Sequence, residues 1–477
     1  MSDVAHLQKT NYVDREVVQR LLKSADFFIM FLGAITLLLR SAPVNEPDKA
    51  ILYGFAAVCI TLATMLAQRA AGLYQVTSLV NPLYGTLSSA GIAFVAGSVA
   101  FLFLKAILLP VGYLWITGWL ALVITHFSIT RLSVAAWAAP LSKAGAFRQR
   151  IAIVGGGKSA EDAMNILESS SNLDIEIVGL FDDRNDDRSP DSIKKISKLG
   201  KIAELANYAR SNRVDLIIVA VPMSAEARML QILKRLWELP TDIRVAAHTS
   251  KLKLSPRAYE NLGNLPLLSV FDRPVSGWSW FLKDMMDKVL ACVFIVGLSP
   301  IMAIAWLAVR LESKGPAIFK QKRYGFNNEL VEVFKFRSMY TDMSDADATK
   351  LVTKGDPRVT KVGRFIRKAS IDELPQLFNV LTGQLSLVGP RPHATQAKAA
   401  DDLYDQVVDG YFARHKVKPG ITGWAQISGW RGETDTHEKI ENRVKHDLEY
   451  IDRWSLWFDL YIIIKTPFAL LKSENAY

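Results

Sequence analysis

The residues best suited to chemistry lie in one stretch, RFIRKASIDELPQLFNVLTGQLSLVGPRPH, from Arg364 to His393. Two adjacent carboxylates, Asp372 and Glu373, follow the cations Arg364, Arg367 and Lys368 and precede Arg391. Side chains of these types handle phosphate: cations hold the anion, and a carboxylate can act as nucleophile or ligate magnesium. An apolar helix must position them, because Leu374, Leu377, Phe378 and Leu381 recur at i, i+3, i+4 and i+7. The pair then sits at or near that helix's N-terminus, where free N–H groups and the dipole favour a bound anion.

A purely structural account also fits, since Ser370-Ile371-Asp372-Glu373 matches a capping box with Ser370 as N-cap. The company of the motif favours chemistry. Lys320-Gln321-Lys322-Arg323-Tyr324-Gly325, Lys335-Phe336-Arg337-Ser338-Met339 and Asp356-Pro357-Arg358 precede it, and Val388-Gly389-Pro390-Arg391-Pro392 and Lys418-Pro419-Gly420-Ile421-Thr422-Gly423-Trp424-Ala425-Gln426 follow. In this order KFRSM, DELPQL, VGPRP and PGITGWAQ closely resemble the bacterial polyprenyl-phosphate sugar-1-phosphate transferases, over residues 280–477. The long form of that family, with four N-terminal spans and a nucleotide-fold insert, is similar over the whole chain.

The resemblance implies transfer of a hexose-1-phosphate from a UDP-hexose to a polyprenyl phosphate such as undecaprenyl phosphate, releasing UMP. That is the first membrane step of exopolysaccharide, capsule or O-antigen assembly. Both substrates are polyanions, so a carboxylate nucleophile that splits the transfer into two steps is favoured, and Asp372 is assigned that role. Glu373 is assigned as the ligand of Mg²⁺, a hard cation that prefers carboxylate and phosphate oxygens. Lys335, Arg337 and Arg367 are expected to screen the transferred phosphate, with Arg391, Arg358, Arg364 and Arg323 as further phosphate contacts. Which substrate Arg391 grips is left open. Asp356 and Arg358 equally suit a turn-stabilising ion pair. Gly420 and Gly423 read as a turn beside Pro419, and His393 and His415 as hydrogen-bonded structural histidines.

Composition sets the surroundings. A chain of 477 residues suggests two or three domains, and half of them are apolar while 22% are charged. A formal charge of +10 suits anionic lipid and phosphorylated substrates in a chain with membrane segments, rather than nucleic acid. Cys59 and Cys292 both fall in apolar runs, which argues against disulfides or a nucleophilic thiol. The seven histidines show no zinc-ligand spacing.

Four apolar segments, at 25–39, 50–67, 83–104 and 106–130, have about the length of spanning helices, although the first is short and contains Asp26. Basic residues before the first, from His6 and Lys9 to Lys23, and after the fourth place both ends of the bundle in the cytoplasm. From Arg150 the pattern turns to soluble α/β. Ile151 to Val154 reads as a strand, and Gly155-Gly156-Gly157-Lys158-Ser159-Ala160 fits G-x-G-x-x-A. Asp182 ends a later strand where a ribose-binding acid would fall, so Gly155, Gly157 and Asp182 form a nucleotide site if the module binds one. A regulatory or structural Rossmann-like role is favoured, because no catalytic Tyr-x-x-x-Lys follows.

Residues 285–310 return to the membrane, yet Ser299-Pro300 interrupts them and cations flank both sides. A bent, re-entrant helix with cytosolic ends follows from this. Residues 450–464 suit either a helix lying on lipid or an amphipathic core helix.

The expected architecture is therefore a membrane α-helical bundle plus α/β. It comprises a cytosolic segment (1–24), four spans (25–140), a Rossmann-like module (148–270) and a mostly helical, monotopic catalytic domain (278–477) in a bacterial inner membrane. Glucose is the expected sugar, with galactose as the alternative, and a homo-oligomer is allowed. Two other classes compete: a membrane-anchored nucleotide-binding regulator, and an NAD-dependent sugar dehydratase or epimerase built on the glycine loop.

Overall fold

The computed structural model describes residues 14–41, 47–75, 78, 81–106, 113–170, 174–184, 192–193, 196–222, 225–246, 260–341, 356–393, 398–399, 402–403, 411–432 and 436–472. His6, Lys9 and most of the expected 1–24 segment lie outside the described residues, as do residues 107–112 of the fourth expected span. The chain forms two compact units, Met1–Arg148 and Gln149–Tyr477.

The first unit is four helices: α1 (Arg15–Ser41), α2 (Pro47–Ala70), α3 (Pro82–Ala106) and α4 (Tyr113–Lys143). The first apolar run looked short because α1 begins ten residues before it, on the amphipathic turn whose Leu22 packs against Tyr74. Leucine and alanine carry α4 on to Lys143, past the expected end at Thr130. Phe101, Trp115 and Trp119 stack at centroid separations of 6.0 and 5.7 Å in the bundle core. Asp26 is not a break in the span but the centre of a buried clasp. It accepts from Tyr74 Oη at 2.9 Å and Arg131 Nη2 at 2.7 Å, and lies 2.8 Å from His126 Nε2. Arg131 also donates to Gln68 and Ser89, so α1, α2, α3 and α4 all contribute to the clasp. Pairing the Asp26 carboxylate with the Arg131 guanidinium inside the bundle is what lets these polar groups sit there.

In the second unit the run Ile151-Ala152-Ile153-Val154 is buried on both faces. Ile151 and Ile153 enter one core, and Ala152 and Val154 the other. This is the two-sided burial of a parallel strand between helical layers. The strands are β1 (Gln149–Val154), β2 (Ile175–Phe181), β3 (Ser192–Ile193), β4 (Ile196–Gly200), β5 (Leu216–Val219), β6 (Asp242–Ala246), β7 (Glu260–Leu262) and β8 (Leu265–Phe271). They form one mixed sheet in the order β3-β4-β2-β1-β5-β6-β8-β7, in which β4, β2, β1, β5 and β6 are parallel. Helices α5 (Lys158–Ser169), α6 (Ile202–Ser211) and α7 (Glu226–Leu236) supply the crossovers.

The remainder is built round α8 (Gly277–Glu312), a helix of 36 residues with Pro300 inside it. It starts earlier than the expected 285–310, so Trp278 and Trp280 belong to its first turn. Its early part packs through Ala291 with Val333, Leu377, Val388 and Tyr450. Its late part packs through Ala305 and Val309 with Phe336 and Ile366. Between Ala291 and Ala305 no residue is buried.

Strands β9 (Ile318–Tyr324) and β10 (Leu330–Phe336) form an antiparallel hairpin. Helices α9 (Lys361–Lys368) and α10 (Gln376–Leu381) follow, then β11 (Ser386–Val388), which pairs in parallel with Gly420–Thr422. The chain closes with α11 (Trp424–Ile427), α12 (His437–Asp452) and α13 (Leu456–Lys472). In α13, Asp459 and Ile462 are buried while Trp457, Tyr461, Ile464 and Phe468 form an exposed apolar stripe, so one helix presents both the core-facing and the lipid-facing pattern. Helices Arg15–Arg40, Pro82–Phe103, Trp115–Lys143 and Gly277–Glu312 are long and apolar enough to cross a membrane, and Gly54–Ala70 is a shorter apolar stretch. Leu87, Leu102, Val296 and Leu311 project outward from these helices. This is a membrane protein.

Candidate active site

Asp372 and Glu373 lie on a 3₁₀ turn, Ile371–Glu373, two residues before α10 begins. The capping box does not form. Ser370 adopts a left-handed backbone, φ 57°, with no side-chain cap, and its hydroxyl accepts from Arg431 Nη2 at 2.6 Å. Serine in that conformation costs on the order of 1 kcal/mol, and the turn it makes aims the next residues at the β9–β10 hairpin. The helix dipole expected behind the pair is slight, since α10 has only six residues.

Glu373 is held on both oxygens. Its Oε1 accepts from Lys335 Nζ at 2.9 Å and Arg391 Nη2 at 2.5 Å, and its Oε2 from Arg391 Nη1 at 3.3 Å. Among the described residues Asp372 takes no hydrogen bond. Burial, then the charge of Glu373, push the Asp372 carboxyl up to about 6, against the pull of Lys335, Arg367 and Arg391. Burial also opposes the charge on Glu373, but Arg391 and Lys335 outweigh it and hold that carboxyl well below its ordinary range. Neighbouring carboxylates driven apart in this way divide their tasks: Glu373 anchors cations, and Asp372 is the free and more basic group.

Each cation has its own support. Lys335 lies on β10 between Phe334 and the buried Phe336, so strand alternation turns it away from that core. Buried Asn379 bridges α10 to β10, accepting from Phe334 N at 2.9 Å and donating to Glu332 O at 2.7 Å, which fixes the carboxylate turn relative to Lys335. Arg391 is set by its backbone. Gly389 N donates to Thr422 O, Gly420 N to Pro390 O, and Arg414 Nη2 to Arg391 O. A Cβ on Gly420 would stand 2.1 Å from Gly389 N, so these two chains can touch only through glycine. Gly420 is therefore part of a strand and not of the expected turn. Its role in close approach was hidden because only the fold brings Gly389 beside it.

Arg323 donates to Gln321 and, at 2.6 Å, to Pro392 O, so it braces the Arg391 loop while lying close enough to feel both carboxylates. Arg367 acts on Asp372 through space.

Three assigned residues stand elsewhere. Arg337 is a correction: its guanidinium donates to Ser313 O at 2.7 Å and Lys314 O at 2.8 Å, capping the C-terminus of α8 rather than screening phosphate. Lys335 reaches Glu373, whereas Arg337, whose backbone N continues the ladder to Ala317 O, turns its side chain to the end of α8. Arg358 is tied to Asp356 at 2.7 Å, and Arg364 is exposed on α9. His393 lies 2.7 Å from Tyr411 Oη, and burial, then Arg414, hold it well below its usual range, hence neutral.

Sequence reasoning missed Asn379, Arg414 with its partner Asp447 at 2.5 Å, and a buried group joining α8 to α13. In that group Lys283 donates to Asp459 at 2.7 Å and to Val388 O at 3.2 Å, while Asp287 accepts from Ser386. Charged residues inside an otherwise apolar helix were its only signal in the chain.

A magnesium ion fits the donor set. Three hydrogen bonds leave about one acceptor position on Glu373, and Asp372 is wholly available. No cluster of three or more His, Cys, Asp or Glu occurs among the described residues, so most ligands of such an ion would be substrate or water oxygens.

In the α/β module, Gly155 has φ 108° and a Cβ there would meet Ala220 O at 2.9 Å, so the first glycine is required by the β1–β5 approach. Gly157 also has positive φ, 77°. Asp182, the expected ribose acid, is engaged by Arg184 at 2.8 Å, which also reaches Gly156 O at 3.2 Å.

Residues 278–473 match the bacterial sugar transferase family, and residues 69–247 match a CoA-binding domain. The undecaprenyl-phosphate glucose phosphotransferase of Komagataeibacter xylinus is 40% identical over 69% of this chain, an alignment spanning 60% of that protein. The UDP-glucose:undecaprenyl-phosphate glucose-1-phosphate transferase of Escherichia coli is 38% identical over 76% of each chain. The undecaprenyl-phosphate galactose phosphotransferase of Salmonella typhimurium is 30% identical over 76% of each. With the motif set on one site and a relative 38% identical over 76% of each chain, the chain belongs to the bacterial sugar transferase family.

Proposed function

We propose that this protein transfers glucose-1-phosphate from UDP-glucose to undecaprenyl phosphate, releasing UMP, through a phospho-aspartyl intermediate. The observation that carries the reading is the contrast between Glu373, bound by Lys335 and Arg391, and Asp372, which has no side-chain hydrogen bond among the described residues. An oxygen of Asp372 attacks the sugar-linked phosphorus, the diphosphate bridge breaks, and UMP departs with the bridging oxygen. An oxygen of undecaprenyl phosphate then attacks the same phosphorus and frees Asp372. A carboxyl with a pKa of about 6 is mostly ionised at neutral pH yet more basic than an ordinary aspartate, which helps the first step. Lys335, Arg367 and Arg391 offset the charge on the phosphates. Magnesium, held by Asp372 or Glu373 and by substrate oxygens, would neutralise the diphosphate.

Glucose is favoured over galactose because the glucose-transferring relatives are 35–40% identical and the galactose one 30%. The reaction would open exopolysaccharide, capsule or O-antigen assembly at the bacterial inner membrane. A re-entrant path for α8 is supported by Pro300, by buried residues on both flanks, and by the absence of buried residues between Ala291 and Ala305. Both ends of α8, and with them the carboxylates, would lie on the cytosolic face. The parallel order β4-β2-β1-β5-β6 and the glycine turn support a Rossmann-like reading of the α/β module. With Arg184 on Asp182, a regulatory or structural role suits it better than dehydratase chemistry.

The test is UMP release from purified protein with magnesium, undecaprenyl phosphate and separate UDP-hexoses, together with acid trapping of labelled sugar phosphate on the protein. UDP-glucose should give the highest rate, and Asp372→Asn should lose both signals. Product formation by that variant would exclude the intermediate.

A further inference from the structure

Beside the carboxylate turn, a cavity of about 470 Å³ opens between the second half of α8 and α9. One wall is a helical stripe formed by Ile301, Ile304 and Ala308, and the other is Phe365 and Ile366. Ile371, the residue before Asp372, also lines it. The lining is apolar apart from Lys361. Packing within the domain does not account for all of it. Ala305 and Ile366 close the core with Val309 and Phe336, whereas Ile304 and Phe365 remain 70% and 67% exposed. Apolar surface of that extent is disfavoured in water but stable against hydrocarbon, and α8 is one of the helices long and apolar enough for a membrane.

We propose that this groove binds the first isoprene units of the polyprenyl acceptor and thereby delivers its phosphate to the Asp372 turn; this rests on the transfer reaction proposed above. Three features commit the groove to that occupant. It ends at the residue preceding the free carboxylate, so a lipid lying in it has its polar end where the second step occurs. Helix α9 is matched to an amphiphile with an anionic head: Phe365 and Ile366 line the groove, while Arg367, the next residue, acts on Asp372. The α8 wall, Ile301, Ile304 and Ala308, is apolar along its length, as a hydrocarbon tail requires.

The experiment measures kcat/KM for undecaprenyl phosphate and for dimethylallyl phosphate, whose single isoprene unit leaves most of the groove empty, in full-length wild type, Ile304→Trp, Ala308→Trp and Val296→Trp. Val296 is an exposed α8 residue outside the groove. Each unit of chain buried in the groove should favour the long acceptor, so both groove variants should lower the long-to-short ratio about tenfold or more, and Val296→Trp should leave it within about twofold. An unchanged ratio in both groove variants overturns the proposal. So does competitive inhibition by phosphatidylglycerol with a Ki equal to the KM for undecaprenyl phosphate, which would make the groove a general lipid site.

Should the tryptophan variants misfold, a photoreactive undecaprenyl phosphate on the unaltered protein decides. Label in peptides carrying Ile301–Ala308 or Phe365 supports the groove, and label confined to the α13 stripe excludes it. A wild type that turns over neither acceptor overturns the transfer reading itself, a result distinct from turnover with an unaltered ratio.

Discussion

The guanidinium of Arg391 reaches the Glu373 carboxylate through both Nη atoms, at 2.5 and 3.3 Å, across 18 residues of chain. A planar fork is suited to that two-point contact, and an ammonium group cannot reproduce it. Arg391→Lys should therefore lower kcat for UMP release about 10- to 100-fold through loss of the two-point contact, and Lys335→Met about 100-fold or more, since it leaves Glu373 with one cation fewer. If both variants retained near-normal kcat, the ion-paired Glu373 would have no part in the chemistry.

The pH dependence follows from Asp372, whose carboxyl is pushed up to about 6. The nucleophile must be ionised, so kcat/KM should fall as pH drops through about 6 rather than near 4. Stability should move the opposite way. A carboxyl whose folded pKa lies above its unfolded value favours the folded state while protonated, and that contribution is lost as pH rises through the folded value. At neutral pH the charged Asp372 thus costs stability, of order 1–3 kcal/mol from the shift between 3.8 and about 6. Asp372→Asn should unfold at higher temperature than wild type at pH 7 while being inactive, and a thermal melt beside the UMP assay tests both at once.

Arg337 gives the converse case. Its guanidinium satisfies carbonyls at the end of α8, and removing it leaves Ser313 O and Lys314 O without those bonds. Arg337→Met should destabilise by about 2–4 kcal/mol. The same variant should keep UMP release per folded molecule within about threefold, measured after correcting for the unfolded fraction.

The intramembrane clasp predicts a compensating pair. Asp26→Leu strands the buried Arg131 charge and should lower stability in detergent by about 3–5 kcal/mol. Adding Arg131→Met removes the stranded charge and should recover most of that loss, which detergent melts of the single and double variants would reveal. Equal melting temperatures for the two would show that the ion pair is not the source of the effect.

How much could be read from the chain depended on whether a feature is local. Apolar runs near the length of a spanning helix, the two-sided strand Ile151–Val154 and the order of the motifs are all local, and each led to an element found at that place. Short β3 and β7 were not foreseen, because two- to three-residue strands carry no periodicity of their own. Within the site, Lys335 and Arg391 come to Glu373 although neither is near it in sequence, and the motif pattern had put them together. Arg337 looked equivalent to Lys335 because the chain does not record which partner each side chain meets once folded, Glu373 for one and the carbonyls ending α8 for the other. Asn379 read as one polar residue in an apolar helix, yet its amide joins that helix to a strand edge more than forty residues away in the chain.

Between Ala291 and Ala305, α8 projects an exposed apolar face through Val293, Val296, Ile301 and Ile304, while Phe294, Ile295 and Leu298 pack half-buried on the core. Immersed in lipid, such a projection is a mooring in its own right, independent of the four-helix bundle. An enzyme fastened in this way meets its greasy acceptor by lateral diffusion in a sheet rather than by search through a volume, and only the sugar nucleotide has to arrive from solution. Deleting residues 1–148 should accordingly leave a protein that still floats with vesicles in a density gradient.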